Sequence, residues 1–126
     1  MESEAPVTED DREAVVAAAT DYIESWLDGD ADRMAACLHP ELVKREVHYD
    51  GTFAVESMTH AEMVAATAAG YGRKYDRPFD VTILDAFGDI ASVRVLSSAY
   101  LDHLHVARFG EGWRILNVLW QRRPGR

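Results

Sequence analysis

Cysteine is almost missing from this chain: Cys37 stands alone among 126 residues. A lone thiol closes no internal disulfide and builds no zinc-type cysteine cluster, so a reducing compartment is the simplest setting for it. Lysine is nearly as scarce. Lys44 and Lys74 are the only two, and arginine supplies the rest of the 13 basic side chains. Acidic residues number 22, which leaves a formal net charge of -9. That charge repels a phosphate backbone and offers nothing to an anionic membrane surface, so neither nucleic acid nor membrane is an expected partner. No long apolar run is present either: Asp21 and Glu24 interrupt the first apolar stretch, and the opening MESEAPVTEDDRE is acidic where a secretory leader is basic and then apolar. A cytoplasmic protein is expected. A Gly-rich phosphate loop and a serine or cysteine nucleophile in a local signature are also lacking, which removes several large enzyme classes and leaves no expected cofactor.

What is there suffices for one core. Apolar residues make up 48% of a chain whose length suits a single domain, expected over residues 8–122, with an acidic tail at 1–7 and a short basic one at 123–126. Thr8 and Asp11 mark a helix start, and Val15, Ala19, Tyr22, Ile23, Trp26 and Leu27 recur at steps of three and four until Gly29. Asp30 can cap a second helix carrying Met34, Cys37 and Leu38, which His39-Pro40 interrupts, and residues 41–44 read as a single turn. Two extended runs around Asp50-Gly51 predict a tight hairpin. Thr59 and Glu62 form a capping box for a third helix that Gly70 and Gly72 close. FDVTILDAF alternates as a strand with Phe79, Val81 and Ile83 inward. One long strand from Ile90 to about Phe109 and a last one from Trp113 to Gln121 complete a three-stranded antiparallel meander.

The segments YIESWLDGDADRMAACLHPELVKREV, ILDAFGDIASVRV, AYLDHLH and GWRILNVLWQRRP occur together and in this order. Over roughly residues 10 to 124 the chain resembles the Putative lumazine-binding family of the nuclear transport factor 2-like superfamily, near its polyketide cyclase relatives of SnoaL type. The resemblance implies a cone-shaped α+β fold of cystatin-like type, with N-terminal helices packed on a curved antiparallel sheet. It also implies a homodimer through the open face of the sheet and a lumazine-like or other planar ligand. The superfamily hosts isomerases, dehydratases and cyclases as well as members without assigned chemistry.

Individual residues supply the candidate site. Tyr22 and Trp26 lie one helical turn apart and either line a pocket, where they would stack on a planar ring, or serve as core aromatics. His39 is either a proton carrier at a pocket mouth or a helix cap. Lys44-Arg45 meets an acidic ligand group or sits in a solvated turn. In Tyr100-Leu-Asp-His-Leu-His105, strand alternation places Tyr100 and Asp102 on one face and His103 and His105 on the other. Asp102 is the best base for acid-base chemistry of isomerase, dehydratase or cyclase type, with Tyr22 or Tyr100 as donor and Asp85 the remaining acid in an apolar strand. His103 and His105 have the spacing of a strand metal site but lack identifiable further ligands, so no metal is expected. In the last strand Asn117 is the polar residue on an apolar face, a satisfied structural group or a ligand contact. A bulge would bring Trp120 into the pocket, and one in the strand before it would exchange Asp102 for His103. Three functions follow: a small-molecule-binding homodimer with pocket residues Tyr22, Trp26, His103, Asn117 and Trp120; an acid-base enzyme using Asp102, His39 and Tyr100; or a noncatalytic dimerisation module.

Overall fold

The computed structural model describes residues 7–124. Residues 1–6 and the terminal pair 125–126 lie outside the described residues, and with them most of the expected acidic tail and half of the basic one. Helix α1 (Glu9–Asp28) starts at a capping box in which the Thr8 hydroxyl and the Asp11 carboxylate each accept the other residue's backbone N–H. It ends at Gly29, whose φ of 72° is left-handed and open to glycine at little cost. The Asp30 carboxylate then accepts from Arg33 N–H at 3.1 Å and starts α2 (Ala31–Cys37). Arg33 reaches back to Asp21 at 2.9 Å and Glu24 at 2.6 Å, tying the second helix onto the first. The acidic residues that interrupt the apolar stripe of α1 are thus the anchor points of α2.

The chain does not turn at residues 41–44. It runs directly from α2 into strand β1 (Leu38–Val47), and Pro40 is tolerated because the register with the neighbouring strand shifts between Leu38 and Val43, where no ladder hydrogen bond is required of it. A seven-residue loop, longer than a two-residue hairpin turn, leads to β2 (Val55–Thr59). Within it the Asp50 carboxylate accepts from the Thr52 amide at 3.0 Å and hydroxyl at 2.6 Å. Thr59 and Glu62 form the capping box of α3 (His60–Ala68). Four strands follow: β3 (Phe79–Phe87), β4 (Ile90–Ser97), β5 (Tyr100–Phe109) and β6 (Gly112–Arg122). The single long strand expected from Ile90 to Phe109 is therefore two, reversed at Ser98-Ala99. Neither glycine nor proline marks this turn, which hides it from pattern reading.

The six strands form one sheet in the order β2-β1-β6-β5-β4-β3. It is mixed: β1 pairs in parallel with β6, and every other pairing is antiparallel. The resemblance implies an antiparallel sheet, and the one parallel pairing arises where the first strand meets the last. Helix α1 crosses β3 to β6, and the core between them holds Val15, Ala19, Ile23, Met34, Leu38, Val93, Leu104 and Ile115. Among the described residues no helix is long and apolar enough to cross a membrane.

Candidate functional site

Between α1, α3 and the β1-β6-β5 part of the sheet the core fails to close, leaving a cavity of about 480 Å³. Its buried end is formed by Tyr22, Ile23, Lys44, Met63 and Asp102; Trp26, Tyr100 and Trp120 wall it; Tyr71, Lys74 and Arg122 stand at the exposed end. Strand register explains the grouping. Asp102 of β5 pairs with Trp120 of β6, which pairs with Glu46 of β1, so three cavity residues form a row across the sheet. Lys44 lies two residues before Glu46 and therefore on the same face.

A hydrogen-bonded chain crosses the buried end. The Tyr22 hydroxyl donates to Asp102 Oδ2 at 2.5 Å and accepts from Lys44 Nζ at 2.8 Å. All three side chains are withdrawn from water, with residue exposures of 2% for Tyr22, 7% for Lys44 and 4% for Asp102. Lys44 Nζ also lies 5.2, 5.6 and 5.1 Å from the ring centres of Tyr22, Trp26 and Trp120, an aromatic cage for a cation. Burial lowers the proton affinity of Lys44 against the opposing charges of Asp102 and Glu46. Burial likewise raises that of Asp102 against the Lys44 charge and the Tyr22 hydrogen bond. The Tyr22 phenol is held well above its ordinary range, first by burial and then by the neighbouring Asp102 charge. Desolvation thus pushes lysine and aspartate toward their neutral forms, while each holds the other charged.

The wall is ordered by aromatic contacts. Tyr100 meets Tyr75 edge-on at 5.1 Å and Trp120 edge-on at 5.2 Å. The Arg122 guanidinium lies over both Tyr100 and Trp120, at 5.5 and 5.6 Å. Gly72 is essential to this wall for a steric reason: a Cβ there would stand 2.4 Å from the Trp26 carbonyl oxygen and 2.6 Å from its indole ring. Lys44, Lys74 and Arg122 outnumber Glu46 and Asp102 among the ionisable groups other than tyrosine, so a chain of net charge -9 concentrates positive charge at this cavity.

Five of the eight residues singled out from sequence meet here: Tyr22, Trp26, Tyr100, Asp102 and Trp120. The bulge that admits Trp120 is real. Register between β5 and β6 slips at Leu116, so Ile115, Val118 and Trp120 face inward. Because the extra residue is in β6, β5 keeps its phase and Asp102 stays inside. Three residues need correction. His39 lies in β1 rather than at a helix end; its Nδ1 accepts the Glu41 amide at 3.0 Å, its ring packs on Phe109 at 4.4 Å, and it does not line the cavity. His103 is exposed on the opposite, outer face of the sheet. Asn117 is exposed there too, because the same bulge turns it outward, and its amide meets His105 Nδ1 at 3.3 Å. Asp85 is likewise exposed.

Sequence reasoning weighed Lys44 only as half of the pair Lys44-Arg45, meeting an acidic ligand group or sitting in a solvated turn, and did not foresee its burial against Tyr22 or the site roles of Met63, Glu46 and Arg122. A signal existed: Leu42, Lys44 and Glu46 alternate in one extended run, but two charged residues on the inward face look like a solvated edge. As for metal chemistry, one group among the described residues has suitable atoms. Oxygens of Glu46 and Glu56 and a ring nitrogen of His48 lie within 4.8 Å of one another beside the cavity. His103 and His105 gather no third such ligand among the described residues.

With this geometry in view, the sequence profile of the family described as Putative lumazine-binding matches residues 10–121, nearly the whole chain. The chain belongs to the Putative lumazine-binding family. Solved structures share the fold. An NTF-2-like protein of unknown function from Silicibacter pomeroyi superposes with a TM-score of 0.80 at 19% identity, covering 94% of this chain and all of its own. A ketosteroid isomerase-like protein from Erwinia carotovora atroseptica gives 0.67 at 13% identity, covering 91% of this chain and 98% of its own. An NTF2-like protein with a cystatin-like fold from Novosphingobium aromaticivorans gives 0.62 at 18%, covering 93% and 84%. No curated protein sequence matches this member of the lumazine-binding family.

Proposed function

We propose that the protein binds a planar aromatic or heteroaromatic small molecule, of lumazine-like shape, in the cavity between α1 and the sheet. One observation carries this: a 480 Å³ cavity, large enough for a ring system, is walled by Trp26, Tyr100 and Trp120 and ends at a buried cation, Lys44. A ring would stack on the aromatic walls while a carbonyl or anionic oxygen accepts from Lys44. The excess positive charge at Lys44, Lys74 and Arg122 favours an acidic ring or a ring bearing an acidic substituent. Titration with lumazine, followed by tryptophan fluorescence and calorimetry, tests the reading. Saturable one-site binding that Trp120→Ala weakens at least tenfold supports it. Failure of lumazine, flavins and other planar acids to bind would remove it.

A second reading has its own observation. Asp102 points inward with raised proton affinity beside the Tyr22 hydroxyl, the arrangement required of a base and a proton donor in isomerase, dehydratase or cyclase chemistry. Tyr100 is near enough to orient a substrate, and His39 takes no part. Deuterium exchange next to the carbonyl of a planar ketone, abolished by Asp102→Asn, is the corresponding test.

The outer face of the sheet is assigned to a second copy. Leu84, Ile90 and Leu119 are all at least half exposed there, and a two-fold homodimer would cover them. A cavity open to a ligand argues against dimerisation as the sole role. We assign the protein to the cytoplasm, with a small molecule and its own second copy as partners.

A further inference from the structure

We propose that Lys44 is a Schiff-base-forming amine, and that the cavity captures aromatic aldehydes or ketones covalently through Lys44 Nζ. The geometry that carries this is the chain from Lys44 through Tyr22 to Asp102, with hydrogen bonds of 2.8 and 2.5 Å, set under the rings of Trp26 and Trp120. This inference rests on the reading above, that the cavity admits a planar ligand.

An amine must lose its proton before it can attack a carbonyl carbon. Lys44 has a local route. Its proton passes to the Tyr22 oxygen as Tyr22 passes its own proton to Asp102 Oδ2, and the ion pair becomes a neutral amine and a carboxylic acid without exchange with solvent. Burial favours this shift at both ends, since it lowers the proton affinity of Lys44 and raises that of Asp102. The other hydrogen-bond neighbour of Nζ, Met63 Sδ at 3.6 Å, is a weak acceptor that holds the group loosely, so the neutral amine can turn its lone pair from the Tyr22 hydroxyl toward a carbonyl carbon.

The nitrogen lone pair then forms the C–N bond while the carbonyl π pair moves onto oxygen. A second proton of the nitrogen transfers to that oxygen and gives the neutral carbinolamine. The proton held on Asp102 returns through Tyr22, the oxygen departs as water, and an iminium cation remains beside the Asp102 carboxylate. Amine cation, carboxylate and carbonyl compound thus become iminium cation, carboxylate and water. The aromatic cage that surrounds the ammonium group equally suits the iminium.

The scarcity of lysine makes the test clean, because Lys74 is the only competing lysine and is exposed. The full-length protein is incubated at neutral pH with para-carboxybenzaldehyde and sodium cyanoborohydride, which reduces the iminium to a stable secondary amine, and the adduct is mapped by peptide mass spectrometry. Lys44 is expected to be modified several-fold faster than Lys74, because burial beneath the Trp26 and Trp120 rings lowers its proton affinity and leaves more of it as free amine. Tyr22→Phe should slow Lys44 trapping while leaving Lys74 trapping unchanged. Modification confined to Lys74 and the chain terminus overturns the proposal. Binding of para-(hydroxymethyl)benzoate, which has no electrophile, is measured by fluorescence in parallel. Its binding without a Lys44 adduct sinks the covalent step and spares the binding reading, whereas absence of both removes both. A Lys44 adduct upholds the proposal whether or not the analogue binds.

Discussion

Replacing Lys44 by Met keeps most of the side-chain volume and removes the buried charge, leaving Asp102 with the Tyr22 hydrogen bond alone. The two hydrogen bonds through Tyr22 hold the charges about 5 Å apart, and at an effective dielectric constant of about 20 their attraction is about 3 kcal/mol. Stranding one partner of a buried pair costs about 3–5 kcal/mol, so Lys44→Met and Asp102→Asn should each destabilise the fold by that amount. The double variant leaves no charge unpaired and should cost no more than the worse single variant, giving a coupling energy of about 3 kcal/mol. Urea unfolding of the four proteins measures it. The two single variants should also slope oppositely with pH. Without Lys44, the proton affinity of Asp102 rises further above its unfolded value; the folded state then binds the extra proton, and stability is greatest below about pH 4 and falls as pH rises through the folded value. Without Asp102, that of Lys44 falls further; stability is then lowest at acid pH and recovers as pH rises toward about 10. Additive single effects, or parallel pH slopes, would refute the claim that these groups act as one buried unit.

Gly72→Ala should cost about 1–3 kcal/mol and shift the tryptophan emission, since the new methyl meets Trp26, while Gly110→Ala, with open space around it, should do neither. Leu104→Ala empties a fully buried core position and should lower unfolding stability by about 2–5 kcal/mol in a denaturant titration. His39→Ala should leave lumazine affinity unchanged in calorimetry, because the ring packs on Phe109 away from the cavity. Leu119→Glu, placed on the outer face, should convert a dimer to a monomer in native mass spectrometry without loss of ligand binding.

Local rules carried the sequence reading far. Thr8, Gly29, Asp30 and Thr59 act within four residues of themselves, and each starts or ends its helix as its chemistry requires. Asp102 was readable as an inward residue because strand alternation is a two-residue property. What escaped depends on distant partners. Lys44 becomes a buried group only through Tyr22 and Asp102, which are 22 and 58 residues away in the chain. Asn117 looked buried because its neighbours are apolar, and a one-residue slip at Leu116 reversed its face. The split at Ser98-Ala99 carried no glycine or proline to betray it. Pro40 suggested a break, yet an irregular stretch of parallel pairing accommodates it.

The parallel pairing of the first strand with the last has a consequence for how the protein comes into being. Lys44 and Glu46 emerge from the ribosome some 70 residues before Trp120 and Arg122, the neighbours that complete their surroundings. Until β6 docks, a charged lysine and glutamate can remain in water, and no cavity exists to hold a ligand. A small molecule bound in the proposed cavity would therefore stabilise only chains in which β6 has docked beside β1, and would leave those lacking β6 unprotected.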